Sequence, residues 1–110
     1  MTPTQVQGII REMVDRIVSG FHPEQIILFG SYARGTETRD SDVDLVVVLP
    51  NFEGRRIDKA VEVRVALHGM GLAKDIVIRT PEELIREKNI PGTIGRAVSK
   101  EGRILYERGH

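Results

Sequence analysis

Between Val6 and Val18 the apolar residues fall at Val6, Ile9, Ile10, Met13, Val14, Ile17 and Val18. This three-four spacing puts all seven on one stripe and predicts a helix lying on a core. Thr2 or Thr4 can cap its start, Gly20 can stop it in a left-handed conformation, and His22-Pro23 marks the connection. Gln25 to Gly30 (Gln-Ile-Ile-Leu-Phe-Gly) is a short apolar, β-branched run bounded by Pro23 and Gly30, which predicts a strand buried on both faces. Ser31 to Gly35 reads as one turn of helix, Thr36 to Ser41 as a polar loop, and Val43 to Leu49 as a second strand stopped by Pro50. A third strand begins at Asp75-Ile76-Val77-Ile78.

Gly54 to Gly71 is ambiguous by pattern. Val61, Val63, Val65 and Leu67 alternate like a strand, whereas Ile57, Ala60, Val61 and Leu67 fit a helix. Topology decides for helix. Asp42 and Asp44 open the second strand and Asp75 opens the third, so bringing them together requires those strands to run parallel. A parallel pair needs a crossover of about a dozen residues, usually helical. The first strand must then run antiparallel to the second, giving a mixed sheet. Thr80-Pro81-Glu82-Glu83 is a helix start of cap, proline and acidic first turn, running to about Lys88 before Pro91-Gly92. Thr93 to Lys100 predicts a further turn or two, Gly102 a stop, and Arg103 to Glu107 an edge strand. The fold class expected is α/β (α+β), with helices packed on a mixed sheet and residues 1–110 as one domain.

Composition narrows the function classes. The 110 residues are 40% apolar and 29% charged, with 16 basic and 16 acidic side chains, the profile of an ordinary globular protein. Zero net charge argues against duplex nucleic acid as the main ligand. With no cysteine, thiol nucleophiles, disulfides and thiolate zinc sites are excluded. His22, His68 and His110 are scattered and form no zinc pattern. The first residues lack signal-peptide character and no run nears the eighteen or so apolar residues of a membrane span, so a cytoplasmic protein is expected.

The chemistry lies in Gly30-Ser31, ten residues, and then Asp42-Val43-Asp44, with Asp75 at the start of the next strand. Residues i and i+2 of a strand share a face, so Asp42 and Asp44 present two carboxylates together while Val43 turns inward. Two such charges repel unless a cation lies between them. Mg2+, a hard ion commonly held by one or two carboxylates plus substrate phosphates, suits them. Asp75 would add either a ligand to a second ion or a base for an attacking hydroxyl. Gly30 permits close approach of backbone to phosphate, Ser31 adds a hydroxyl, and Arg34, one turn on, can reach a phosphate with its guanidinium. At usual residue frequencies, a chance match to the glycine, serine and both aspartates at this spacing is roughly one in a thousand. Arg55-Arg56 and Arg86-Glu87-Lys88 read as solvated faces, and Tyr106 as an edge-strand residue whose alternative role is acceptor in self-modification.

Gly30-Ser31-Tyr32-Ala33-Arg34-Gly35, Ser41-Asp42-Val43-Asp44-Leu45 and Asp75-Ile76-Val77-Ile78 together resemble the DNA polymerase beta type nucleotidyltransferase superfamily. Within it they resemble the minimal nucleotidyltransferases of prokaryotes, including the MntA-like antitoxins. The resemblance implies the nucleotidyltransferase fold, with Asp42, Asp44 and Asp75 as metal-binding catalytic residues and Gly30 and Ser31 as holders of a nucleoside triphosphate. It implies Mg2+, two ions, as cofactor and ATP as substrate, with AMP passed to a hydroxyl and pyrophosphate released. It also implies a partner, a HEPN-domain toxin whose tyrosine would accept the AMP. Many relatives carry arginine at the position of Tyr32, so Arg34 and Arg39 are the candidates to replace that contact. Homo-oligomerisation is left open. The alternatives are a non-catalytic module that covers a helical toxin, and a small-molecule nucleotidyltransferase of the aminoglycoside type.

Overall fold

The computed structural model describes residues 2–109, so His110 and Met1 lie outside it. The chain runs α1 (Pro3–Phe21), β1 (Gln25–Phe29), α2 (Ser31–Arg34), β2 (Val43–Val48), α3 (Arg56–Ala66), β3 (Lys74–Arg79), α4 (Pro81–Glu87), α5 (Ile94–Glu101) and β4 (Arg103–Glu107). The strands form one sheet in the order β3-β2-β1-β4. β1 is antiparallel to β2 and β4, and β2 is parallel to β3. The mixed sheet and the α3 crossover follow the topology expected from the three aspartates.

Two apolar layers sandwich the sheet. On one face Ile10, Met13, Val14 and Ile17 of α1 and Val63 and Leu67 at α3 meet Ile26, Leu28, Val43, Leu45, Val47, Ile76 and Ile78. On the other, Leu84 of α4 and Ile94 and Val98 of α5 cover Ile27, Val46 and Val48. β1 is therefore buried on both faces, as its unbroken apolar run predicts. Burying each such aliphatic side chain stabilises the fold by about 1.5–3 kcal/mol. This packing fixes which way β2 faces. With Val43, Leu45 and Val47 turned to α1 and α3, Asp44 belongs to the opposite face, beside Val46 and Val48.

The helix ends are set locally. Thr2 and Gln5 close a capping box on α1, and Thr80 and Glu83 close one on α4, with Pro81 at its first position. Thr93 caps α5. α1 runs past Gly20 and stops at His22 (φ 51°, ψ 54°), whose N–H bonds to the Val18 carbonyl. Pro23 lacks an N–H and cannot continue the helix, and histidine tolerates the left-handed region better than most residues, so the stop falls two residues later than the glycine indicated. Among the described residues no helix is long and apolar enough to cross a membrane.

Candidate active site

The predicted residues meet at one end of the sheet, where β1 finishes and β2 and β3 begin. Phe29 is opposite Asp44 in the β1–β2 register, and Asp44 is directly opposite Asp75 in the β2–β3 register. Adjacent strands lie about 4.8 Å apart, so these two carboxylates rise as neighbours from one edge-to-edge pair. Asp42 precedes β2 by one residue, with Val43 fully buried between the two acids. Asp42 and Asp75 are exposed and Asp44 is half-buried, so the cluster opens to solvent.

Gly30 has a specific reason to be glycine. Its backbone (φ 74°, ψ −156°) occupies a region that essentially only glycine adopts. A Cβ there would overlap Asp44 Oδ2 outright and stand 3.1 Å from its Cγ. The glycine anticipated for close phosphate approach thus makes room for the central carboxylate. Its carbonyl accepts hydrogen bonds from Ala33 and Arg34 at 3.1 Å, which turns the chain into α2. By helix geometry the first amides, those of Ser31 and Tyr32, are left without intrahelical acceptors. The following loop is closed by Thr38, which donates its N–H to Ser41 Oγ at 2.8 Å while its carbonyl accepts from Ser41 N at 3.1 Å. That clasp fixes the approach to Asp42.

Charge is unbalanced at the centre. Burial pushes the Asp44 carboxyl above its ordinary value, and repulsion from Asp75 and then Asp42 adds to the rise, while Arg34 opposes it. Arg34 is itself engaged, its Nη1 lying 2.9 Å from Glu101 Oε1 at the end of α5. Among the described residues no group of three acidic or histidine side chains is gathered closely enough to hold a metal ion by itself. The donor set nevertheless fits a hard divalent cation. Mg2+ usually completes its octahedron with water and substrate phosphates rather than with protein alone, and an acidic trio with one compensating arginine is short of positive charge. Asp42, Asp44 and Asp75 are the residues that would hold the ion.

Not every feature singled out from sequence belongs here. Tyr106 is opposite Ile26, near the start of β1 and the far end of the sheet from Gly30, which rules it out as an acceptor within the same molecule. Tyr32 packs on the larger core and lines a cavity of about 610 Å³ with Arg39, Thr38 and Leu72. The two charged clusters are more than solvated faces. Arg56 Nη2 donates to Glu83 at 2.5 Å and Nη1 to the Ile78 carbonyl at 3.2 Å, and Glu87 accepts from Gly95 N at 3.0 Å. Glu101 was not anticipated, because its partner lies 67 residues away and no periodicity links them.

Residues 9–103 match the nucleotidyltransferase domain family. The chain belongs to this family. Among its relatives is a candidate protein adenylyltransferase of Methanocaldococcus jannaschii, MJ0604, 35% identical over 99 residues that make up 88% of this chain and 94% of the relative. A second from the same organism, MJ1305, is 43% identical over 61 residues, 54% of this chain but only 42% of the relative's length. In three dimensions this nucleotidyltransferase chain superposes on a candidate nucleotidyltransferase from Sulfolobus solfataricus with a TM-score of 0.67 at 23% identity, over 94% of this chain and 84% of that one. It also superposes on a toxin–antitoxin structure containing AMP-PNP, with a TM-score of 0.56 at 21% identity over 90% of this chain and 74% of that one. A tyrosine-to-alanine mutant of the MntA–HpeT toxin–antitoxin gives a TM-score of 0.56 at 19% identity over 91% and 73% of the two chains. At these identities the likeness is one of fold.

Proposed function

We propose that this nucleotidyltransferase, with residues 1–110 acting as one domain in the cytoplasm, transfers AMP from ATP to a hydroxyl group and releases pyrophosphate. The acceptor is a tyrosine of a helical HEPN-domain toxin, which makes the chain the antitoxin of a toxin–antitoxin pair. The observation that carries this is the register of Asp44 opposite Asp75, beside a glycine whose missing Cβ leaves room for the Asp44 carboxylate. The names of the M. jannaschii relatives support protein as the acceptor, and the toxin–antitoxin neighbours support a toxin as the partner.

In the reaction the acceptor oxygen attacks the α-phosphorus, a new P–O bond forms, the bond to the bridging oxygen breaks, and pyrophosphate departs with that electron pair. Gly30, Ser31 and the free amides at the start of α2 orient the triphosphate. Arg34 offers a guanidinium to the departing phosphates once it leaves Glu101. Asp42, Asp44 and Asp75 are the residues that would hold Mg2+, and Asp75 would take the acceptor's proton. Bound Mg2+ supplies charge neutralisation for the attacking and leaving oxygens.

Incubation of the chain with α-labelled ATP, Mg2+ and a HEPN-domain protein from the same genome tests this. The expected result is labelled partner with wild type and at least a hundredfold less with Asp42→Asn, which removes a charge but little volume. Equal labelling by both proteins would remove the carboxylates from the chemistry. A non-catalytic covering role is disfavoured because all three acids are present, with Asp42 and Asp75 exposed and Asp44 half-buried beside them.

A further inference from the structure

The outer face of α3 carries an apolar ridge that nothing covers. Ile57, Val61 and Val65, at i, i+4 and i+8, are 62%, 53% and 68% exposed, although Val63 of the same helix and Leu67 at its C-terminal cap are completely buried. Contiguous apolar surface of this kind on a small protein marks an interaction site more often than scattered apolar residues do. Val61 and Val65 also line a groove of about 540 Å³ together with Arg64, His68, Lys74 and Asp42. Two residues of the ridge and one of the acidic trio therefore share one groove.

Apart from Asp42, the unpaired charge along that groove is positive. Asp58 and Glu62, the acids of α3, are neutralised within the helix neighbourhood by Arg55 and Lys59, at 3.0 and 2.7 Å. Arg64 and Lys74 on the groove side have no such partner among the described residues. The groove offers two unpaired cations and a histidine beside an apolar strip, with Asp42 in its wall.

We infer that the α3 ridge and the Arg64–Lys74 groove dock the acceptor protein, through a segment that sets apolar side chains on Val61 and Val65 and acidic ones against Arg64 and Lys74, so that its hydroxyl reaches Asp42. The inference rests on the proposed transfer to a protein hydroxyl. A second copy of this chain fits less well, because a two-fold contact across the groove would set Arg64 and Lys74 against their own equivalents. Single-stranded nucleic acid fits less well too, because no Phe, Tyr or Trp lines the groove as a platform for base stacking.

The test uses a fluorescent synthetic peptide with one tyrosine between leucines and glutamates, and its counterpart with lysines for glutamates. Anisotropy measures binding and labelled ATP measures transfer. Wild type is expected to bind the acidic peptide at least tenfold more tightly than the basic one, and Asp44→Asn is expected to bind it as wild type does while losing transfer. Arg64→Glu and the Val61→Asp, Val65→Asp double variant, all at exposed positions, are expected to keep the wild-type unfolding midpoint and lose at least tenfold in peptide affinity. Equal affinity for the two peptides, no binding of either, or unchanged binding by these variants would overturn the docking assignment. So would a wild-type dimer dissociated by the double variant, or an RNA oligomer bound more tightly through the same residues. Binding with the expected variant pattern but no transfer by wild type would uphold the surface and count against the proposed reaction instead.

Discussion

Gly30 shows how one position can carry two requirements. Its backbone lies where a side chain is strained, and the space a side chain would need is filled by Asp44. Gly30→Ala is expected to destabilise the fold by roughly 1–3 kcal/mol from backbone strain, plus the displacement of Asp44, and to reduce transfer at least tenfold. Urea unfolding checks the first. Combining it with Asp44→Gly checks the cause, because removing the carboxylate should return part of the loss; strictly additive effects would mean that the two residues do not interact. Sequence made the position conspicuous through its spacing to Asp42 and Asp44. It did not disclose that the glycine serves the carboxylate, because that contact joins the end of one strand to a different strand.

Among the elements, α3 and α4 are joined by a link independent of the site. Arg56 holds the Glu83 carboxyl down to about 2, well below its ordinary 4.5, chiefly by their hydrogen bond, with help from Thr80. A depressed carboxyl gives stability that is present above the unfolded value and is lost as pH falls from about 4.5 to about 2. Glutamine can still complete a capping box with Thr80, so Glu83→Gln isolates the ion pair. Because Arg56 is largely exposed, solvent screens the pair, and the expected cost is about 1–2 kcal/mol at pH 7. Denaturant unfolding from pH 7 downwards should show the wild-type and variant curves converging below pH 4.5; a constant gap would mean that the charge is not the cause. The capping signals of α1 and α4 were legible as local sequence, since their partners lie three residues apart. The Arg56–Glu83 pair was not, spanning 27 residues. α3 was recoverable only from topology, because its outward apolar ridge blurs the pattern that burial writes into a helix.

Across the whole molecule, the β2–β3 parallel pairing sets Asp44 opposite Asp75, and a core on both faces fixes the sheet that carries them. The requirement that three aspartates converge dictated the strand directions, and the sheet then dictated where α3 must cross. What remained hidden was the contact between the last helix and the site, where Glu101 of α5 holds Arg34 of α2. The central claim is that Asp42, Asp44 and Asp75, short of positive charge in the free protein, form a site completed by Mg2+ and triphosphate together. Calorimetric titration with a non-hydrolysable ATP analogue measures this most directly. Wild type is expected to bind the analogue with Mg2+ at least tenfold more tightly than without it, and Asp44→Asn to lose that Mg2+ dependence. Equal affinity with and without Mg2+, or a Mg2+ effect unchanged in Asp44→Asn, would contradict the account.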